Sequence, residues 1–298
     1  MSAKVMGRIV AVILIVLGVF FLVTKNDTKV LSFKDFKINN DITLTVINGG
    51  PAVSSSEVLY IPEGIELKKD SNIYSNTFLL KVQGIYYILG AYNPDTITKH
   101  LDVVKLSPSD IQGIILCDTK LDRIGGLLKD GKPLFENAIL YINSTELDWI
   151  DGITEPIDVS QEELKPLKEL QKQVLEAYSG HIKRVFYNGA PIIPEVIPMA
   201  QAGPTPGHTI YVLGSSNNRM VLTGSIIQNL NQIDHPEIYI SSGESMDLLP
   251  SEATNSRKDI FDFLAADNIP FAGDKLPFPC VGKLNATEKG YEVSLEKQ

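Results

Sequence analysis

Between Cys117 and Arg123 the chain reads Cys-Asp-Thr-Lys-Leu-Asp-Arg, so Asp118 and Asp122 alternate with Lys120 and Arg123. Aspartates at this spacing could ligate a divalent cation through oxygen. Lysine and arginine suit a phosphate or carboxylate instead. Opposite charges this close could also neutralise one another as a buried ion cluster. Cys117 as a nucleophile would need a depressed pKa.

Such chemistry has to be positioned by regular elements. Ile114-Ile115-Leu116 reads as a buried strand leading into the charged cluster, and Ile124-Gly125-Gly126-Leu127-Leu128 as a tight turn opening a helix. The charges therefore fall at the end of a buried strand, where α/β folds build sites. Upstream, Ile42 to Ile47 is a strand, and Phe78–Val82 with Tyr86–Leu89 form a hairpin through Gln83-Gly84. A helix is expected over Pro94–Val104, capped by Asn93. Downstream, Ala138–Ile142 is a strand, and Ser144 to Trp149 opens a short helix. A second helix runs from Ser160 to Tyr178 with Ser160 and Glu163 as a capping box. Leu164, Leu167, Leu170, Val174, Leu175 and Tyr178 give it one apolar face, which should lie against the outside of a sheet.

A net charge of −9 leaves no basic surface for nucleic acid. The N-terminus is of a different kind: Lys4 and Arg8 precede an unbroken apolar run from Ile9 to Val23, closed by Lys25. No small-x-small cleavage pattern follows, so residues 1–25 read as an uncleaved signal anchor with the remainder exported, to the periplasmic or extracellular side; secretion after cleavage is the alternative. Residues 26–38 read as a polar linker and 39–298 as one domain. The two cysteines, Cys117 and Cys280, fit an exported protein with at most one disulfide, and their pairing is left open. His100, His181 and His235 sit in scattered contexts and read as surface residues.

The charged cluster resembles the signature T-H-x-H-x-D-H-x-G-G of the metallo-β-lactamase-fold hydrolases, with Cys117 at the Thr and Gly125-Gly126 at the glycines. Three later segments extend the resemblance. Gly203-Pro204-Thr205-Pro206-Gly207-His208 is similar to G-H-T-P-G-H, and Leu222-Thr223-Gly224-Ser225 to L-x-T-G-D. Lys275-Leu276-Pro277-Phe278-Pro279-Cys280-Val281-Gly282-Lys283 is similar to H-x-P-F-P-G-x-G-H of the branch that resembles methyl parathion hydrolase. The resemblance covers residues from about 40 to 298 and implies an α/β (α+β) fold, an αββα sandwich.

It also implies seven metal-ligand places, here filled by Asp118, Lys120, Asp122, Arg123, Pro204, Ser225 and Lys275, of which Asp122 alone keeps the family's residue. Lysine and arginine cations offer a metal no lone pair, and proline offers no donor. Leu89-Gly90-Ala91-Tyr92 likewise lacks the acid that the family carries near its metals. Two negatives, Asp118 and Asp122, would face three positives, Lys120, Arg123 and Lys275, and the substitutions read as mutual compensation. The expectation is then a pseudoenzyme with no cofactor, binding a small anionic ligand or serving as an interaction domain for an envelope protein. The alternative is a hydrolase of esters, lactones or phosphoesters. It would use one divalent metal such as zinc on Asp118, Asp122 and His208, or a metal-free site with Lys275 as base or Cys117 as nucleophile. His208 otherwise reads as a hydrogen-bonded loop residue, and Ser225 as satisfying backbone groups at a turn.

Overall fold

The computed structural model describes residues 32–52, 58–153, 159–215, 218–288 and 290–297. The apolar run Ile9–Val23 lies outside them. Among the described residues no helix is long and apolar enough to cross a membrane. From Phe33 to Gln298 the chain forms one compact unit.

Two sheets carry the unit. The first contains β1 (Phe33–Lys37), β2 (Ile42–Ile47), β4 (Thr77–Val82), β5 (Ile85–Ile88), β6 (Ile111–Ile115), β9 (Ile139–Asn143) and β10 (Ile182–Val185), side by side in that order. Its strands are antiparallel from β1 to β5 and parallel from β5 to β10. The second contains β11 (Val196–Ala200), β12 (Thr209–Ser215), β13 (Asn218–Leu222), β15 (Phe271–Ala272), β16 (Val281–Thr287) and β17 (Gly290–Leu295). Two ribbons complete the set, β3 (Val58–Tyr60) with β14 (Tyr239–Ser242) and β7 (Leu128–Lys129) with β8 (Lys132–Pro133).

Side-chain alternation explains how the layers form, because successive residues of a strand point to opposite faces. Phe78, Leu80 and Val82 of β4 join Ile42, Leu44 and Val46 in one apolar cluster with Ile210, Leu213, Val221 and Phe271 of the second sheet. Leu79, between them in sequence, packs in another cluster with Ile97 and Leu101 of the helix Pro94–Val103 and Leu164, Leu167 and Val174 of the helix Gln161–Ala177. Ile114 and Ile115 divide between the same two clusters, which is why this strand is apolar without a polar face. Across the second sheet, the helix Pro250–Ala266 buries Ile260, Phe261 and Leu264. The result is the αββα sandwich. Truncating an aliphatic residue in either cluster to alanine costs about 2–5 kcal/mol.

The helices at Pro94 and Gln161 begin where the sequence placed them, but the one expected to open at Ile124–Leu128 does not: the helical turn Leu121–Ile124 precedes it and ends at Gly125, and Leu128–Lys129 is a strand. The Asn93 side chain accepts from the Asp95 and Thr96 amides, and Ser160 and Glu163 form the reciprocal capping box. Two further expectations need correction. Phe33–Lys37, within the expected linker, is instead an edge strand in register with β2, because Phe36 finds apolar neighbours in the core. His100 is not a surface residue: it is 3% exposed, its Nδ1 lies 2.8 Å from Thr77 Oγ1, and burial holds its pKa down to about 4. Cys117 and Cys280 are both buried free thiols.

The single tryptophan offers a spectroscopic handle on the helix layer. Lys168 Nζ lies 3.6 Å from the Trp149 ring centroid and donates to the Trp149 carbonyl, and burial lowers its pKa to about 8. Tryptophan emission is expected to titrate with a midpoint near pH 8 and to lose that transition in Lys168→Met. A flat profile from about pH 7 to 10, the span bracketing that midpoint, would contradict the ring contact.

Candidate functional site

The charged cluster sits where β6 ends against the loops of the second sheet. The backbone is pinned from both sides: Thr209 N donates to Cys117 O at 2.7 Å, and Leu116 N to Tyr141 O at 3.1 Å. Lys120 then opens a single helical turn, Leu121–Ile124, which directs Asp122 and Arg123 inward. Close backbone approach requires glycine beside this turn. A Cβ on Gly90, at φ +82, would lie 2.4 Å from Arg123 Cδ, and one on Gly126 would lie 2.8 Å from Asn93 N.

Six charged side chains meet there, each at most 7% exposed: Asp118, Asp122 and Asp274 with Lys120, Arg123 and Lys275. Arg123 donates to Asp274 Oδ2 at 2.5 Å and to Ser225 Oγ at 2.9 Å, and its Nε lies 3.9 Å from Asp118 Oδ1. Lys275 pairs with Asp122, whose Oδ2 also accepts from Ser245 Oγ. Lys120 Nζ donates to Ser245 O at 2.9 Å. Burial raises the Asp118 and Asp122 carboxyls, but the neighbouring cations outweigh it, Lys120 first for Asp118 and Lys275 first for Asp122, and both end below the usual carboxylate range. Burial disfavours the Arg123 cation, and Asp274 and Asp118 more than restore it.

All of the expected site residues except Pro204 thus join one network. The expected count of two negatives against three positives was short by one: Asp274, next to Lys275 in sequence, supplies the third carboxylate and balances the cluster. Its neighbour's match to a ligand place was the available signal. In the Leu89–Tyr92 segment, where the resemblance leads one to look for an acid, the Leu89 carbonyl instead accepts from Arg123 at 3.4 Å. Pro204 contributes only its carbonyl, to Leu248 N. Glu146, in a segment whose sequence marks only a short helix, also belongs to the site. It is buried and accepts from Thr119 N and Oγ1, Thr205 Oγ1 and Gly207 N, tying the charged loop to the 203–208 loop. Burial raises its pKa. Behind the Ser245 loop, Arg257 and Asp247 pair at 3.4 Å with neither side chain exposed, anchoring that loop to the long helix.

The donor set does not fit the metals that the resemblance implies. Lys120, Arg123 and Lys275 place cations at three ligand places, and Ser225 Oγ is bonded to Arg123. The alternative set of Asp118, Asp122 and His208 fares no better. His208 Nδ1 faces Gln201 O at 2.9 Å and Nε2 faces the Ser225 amide at 3.1 Å, which fixes the tautomer and engages the Nε2 lone pair. Burial holds this imidazole neutral, with a pKa near 4. Among the described residues no group of three or more His, Cys, Asp or Glu is placed to hold a metal ion. The metal-free alternatives meet similar obstacles. Burial pushes the Cys117 thiol far up, so it is no thiolate, and the Lys275 ammonium is committed to Asp122.

No protein-family model and no curated protein matches the chain. Among solved structures it is similar to AidC, a dizinc quorum-quenching lactonase in complex with a product, at 21% identity and TM-score 0.75, covering 90% of this chain and 98% of that one. It is similar to the hydrolase AbOPH of the β-lactamase superfamily at 21% identity and TM-score 0.76, covering 91% and 100%. It is also similar to an N-acyl homoserine lactone hydrolase with product bound at its catalytic metal centre, at 15% identity and TM-score 0.53, covering 76% and 90%. The chain therefore has the fold of the metallo-β-lactamase superfamily, and its solved structural neighbours are hydrolases of that superfamily.

Proposed function

We propose that this protein is a metal-independent member of the fold, a non-catalytic interaction domain held at a membrane through the N-terminal apolar run, with the domain on the exported side and an envelope protein as its partner. The observation that carries this reading is the balanced ion network: three cations and three carboxylates meet around the positions that the sequence resemblance assigns to metal ligands, and each charge has an internal partner or neighbour. A buried network of this kind leaves Arg123 and Lys275 little capacity for an outside anion. The interaction role is therefore favoured over a small-anion pocket.

A second reading, hydrolysis of an ester, lactone or phosphoester, has its own support. The solved neighbours are lactonases and hydrolases, and Asp118 Oδ2 and Asp122 Oδ1 are buried oxygens with no hydrogen-bond partner among the described residues. A zinc ion bound there would supply Lewis-acid chemistry. The two readings separate by elemental analysis of the purified full chain after dialysis against zinc, manganese and iron. The first expects less than about a tenth of an equivalent, since a site of this class retains its metal tightly. Close to one equivalent, lost in a folded Asp122→Ala variant and accompanied by turnover of lactones or phosphotriesters, would establish the second.

A further inference from the structure

Beside the ion network lies a small cavity of about 30 Å³, with Asn76, Thr77, His100, Asp122, Arg123 and Lys275 in its wall. Three of these residues carry a buried polar atom without a hydrogen-bond partner among the described residues: the oxygens Asn76 Oδ1 and Asp122 Oδ1, on side chains more than nine-tenths buried, and Arg123 Nε, which lies 3.9 Å from Asp118 Oδ1. The amide of Asn76 cannot be turned to remove the mismatch. Its Nδ2 donates to Asp274 O at 3.0 Å and Leu276 O at 2.7 Å, so a flip would set an oxygen against two carbonyls. The two orphan oxygens are therefore acceptors, and a buried acceptor calls for a donor.

The charges decide what kind of donor. An anion would meet the two acceptors and leave the balanced network with an unpaired negative charge. A cation would meet Arg123 and Lys275 and leave the balanced network with an unpaired charge. The Lys275 ammonium has three N–H groups, of which Asp122 takes one, so the same wall can also donate. An uncharged group that donates twice and accepts once satisfies all three atoms.

We infer that this cavity is a binding site for one small uncharged molecule that both donates and accepts hydrogen bonds: water, or the hydroxyl or carboxamide of a compound of similar size in its place. The volume admits one or two water-sized groups, and the wall is polar enough to hold one. Such a molecule completes the hydrogen bonds of the network whether or not the protein hydrolyses anything.

The test uses crystals of the full chain grown without small alcohols or amides, a second set with formamide as the probe, and a third with bromide replacing chloride. An ordered molecule within hydrogen-bond reach of Asp122 Oδ1 and Asn76 Oδ1 is expected in the first set. Its replacement by formamide would identify the site as open to organic ligands; its persistence would identify the resident as water. A bromide anomalous peak in the cavity, or no ordered density there in any set, would overturn the inference. Asn76→Leu, where circular dichroism shows it folded, is expected to lose the bound molecule and the response to formamide. If that variant does not fold, the wild-type crystals alone decide.

Discussion

Arg123→Met is expected to lower the unfolding free energy by about 3–5 kcal/mol, because it strands Asp274 and Asp118 in an interior from which their compensating guanidinium has gone. Loss on that scale is a large part of the roughly 5–15 kcal/mol that holds a typical domain together. The pair itself is a different matter, since replacing both partners with apolar groups removes the desolvation cost along with the attraction. The double variant Arg123→Met/Asp274→Leu should therefore be more stable than the single one. Urea melts of the wild type and both variants measure this. A single variant within about 1 kcal/mol of wild type would show that the cluster is as weak as an exposed pair and that the compensation reading is wrong.

Acid should weaken the fold in two stages. His100 and His208 are buried and neutral with pKa values near 4, against about 6.5 when unfolded. Their folded values are depressed, so the stability they allow is complete above about pH 6.5 and is lost as pH falls toward 4, by roughly 3 kcal/mol for each. Asp118 and Asp122 act lower. Their folded values lie below the usual carboxylate range, so their contribution is intact above about pH 4 and is lost as pH falls through those folded values. Denaturant melts between pH 7 and 4 should show close to two protons taken up on unfolding, against about one in a folded His208→Gln variant. A pH-independent unfolding free energy across that span would contradict the burial of both rings.

The Asn76-lined cavity and the ion network share one design. The Tyr74 and Asn76 amides donate to the carbonyls of Lys275 and Asp274, so the loop that supplies the third carboxylate and the third cation is held by the segment leading into β4. A change at either end should be felt at the other.

What the sequence determined by itself was everything that depends on neighbours along the chain. The Gln83-Gly84 hairpin, the Asn93 cap, the Ser160–Glu163 box and the two-sided strand at Ile114–Ile115 each follow from bonds or side-chain alternation within a few residues. Four motifs in series indicated the fold, and the mix of charges between Asp118 and Arg123 indicated an ion cluster. Only the tertiary structure decided which charges meet. Arg123 and Asp274 are 151 positions apart, and Lys275 and Asp122 are 153, so their pairing is set by two sheets packing face to face and by no local pattern. The same holds for His100, whose burial depends on what β4 and its flanking loops lay over the helix, and for Glu146, which becomes a staple only when the 203–208 loop reaches it. Burial supplies the physical reason. A charge exposed to water can go unpaired, whereas one that the core encloses must be matched by whatever group the fold brings alongside it.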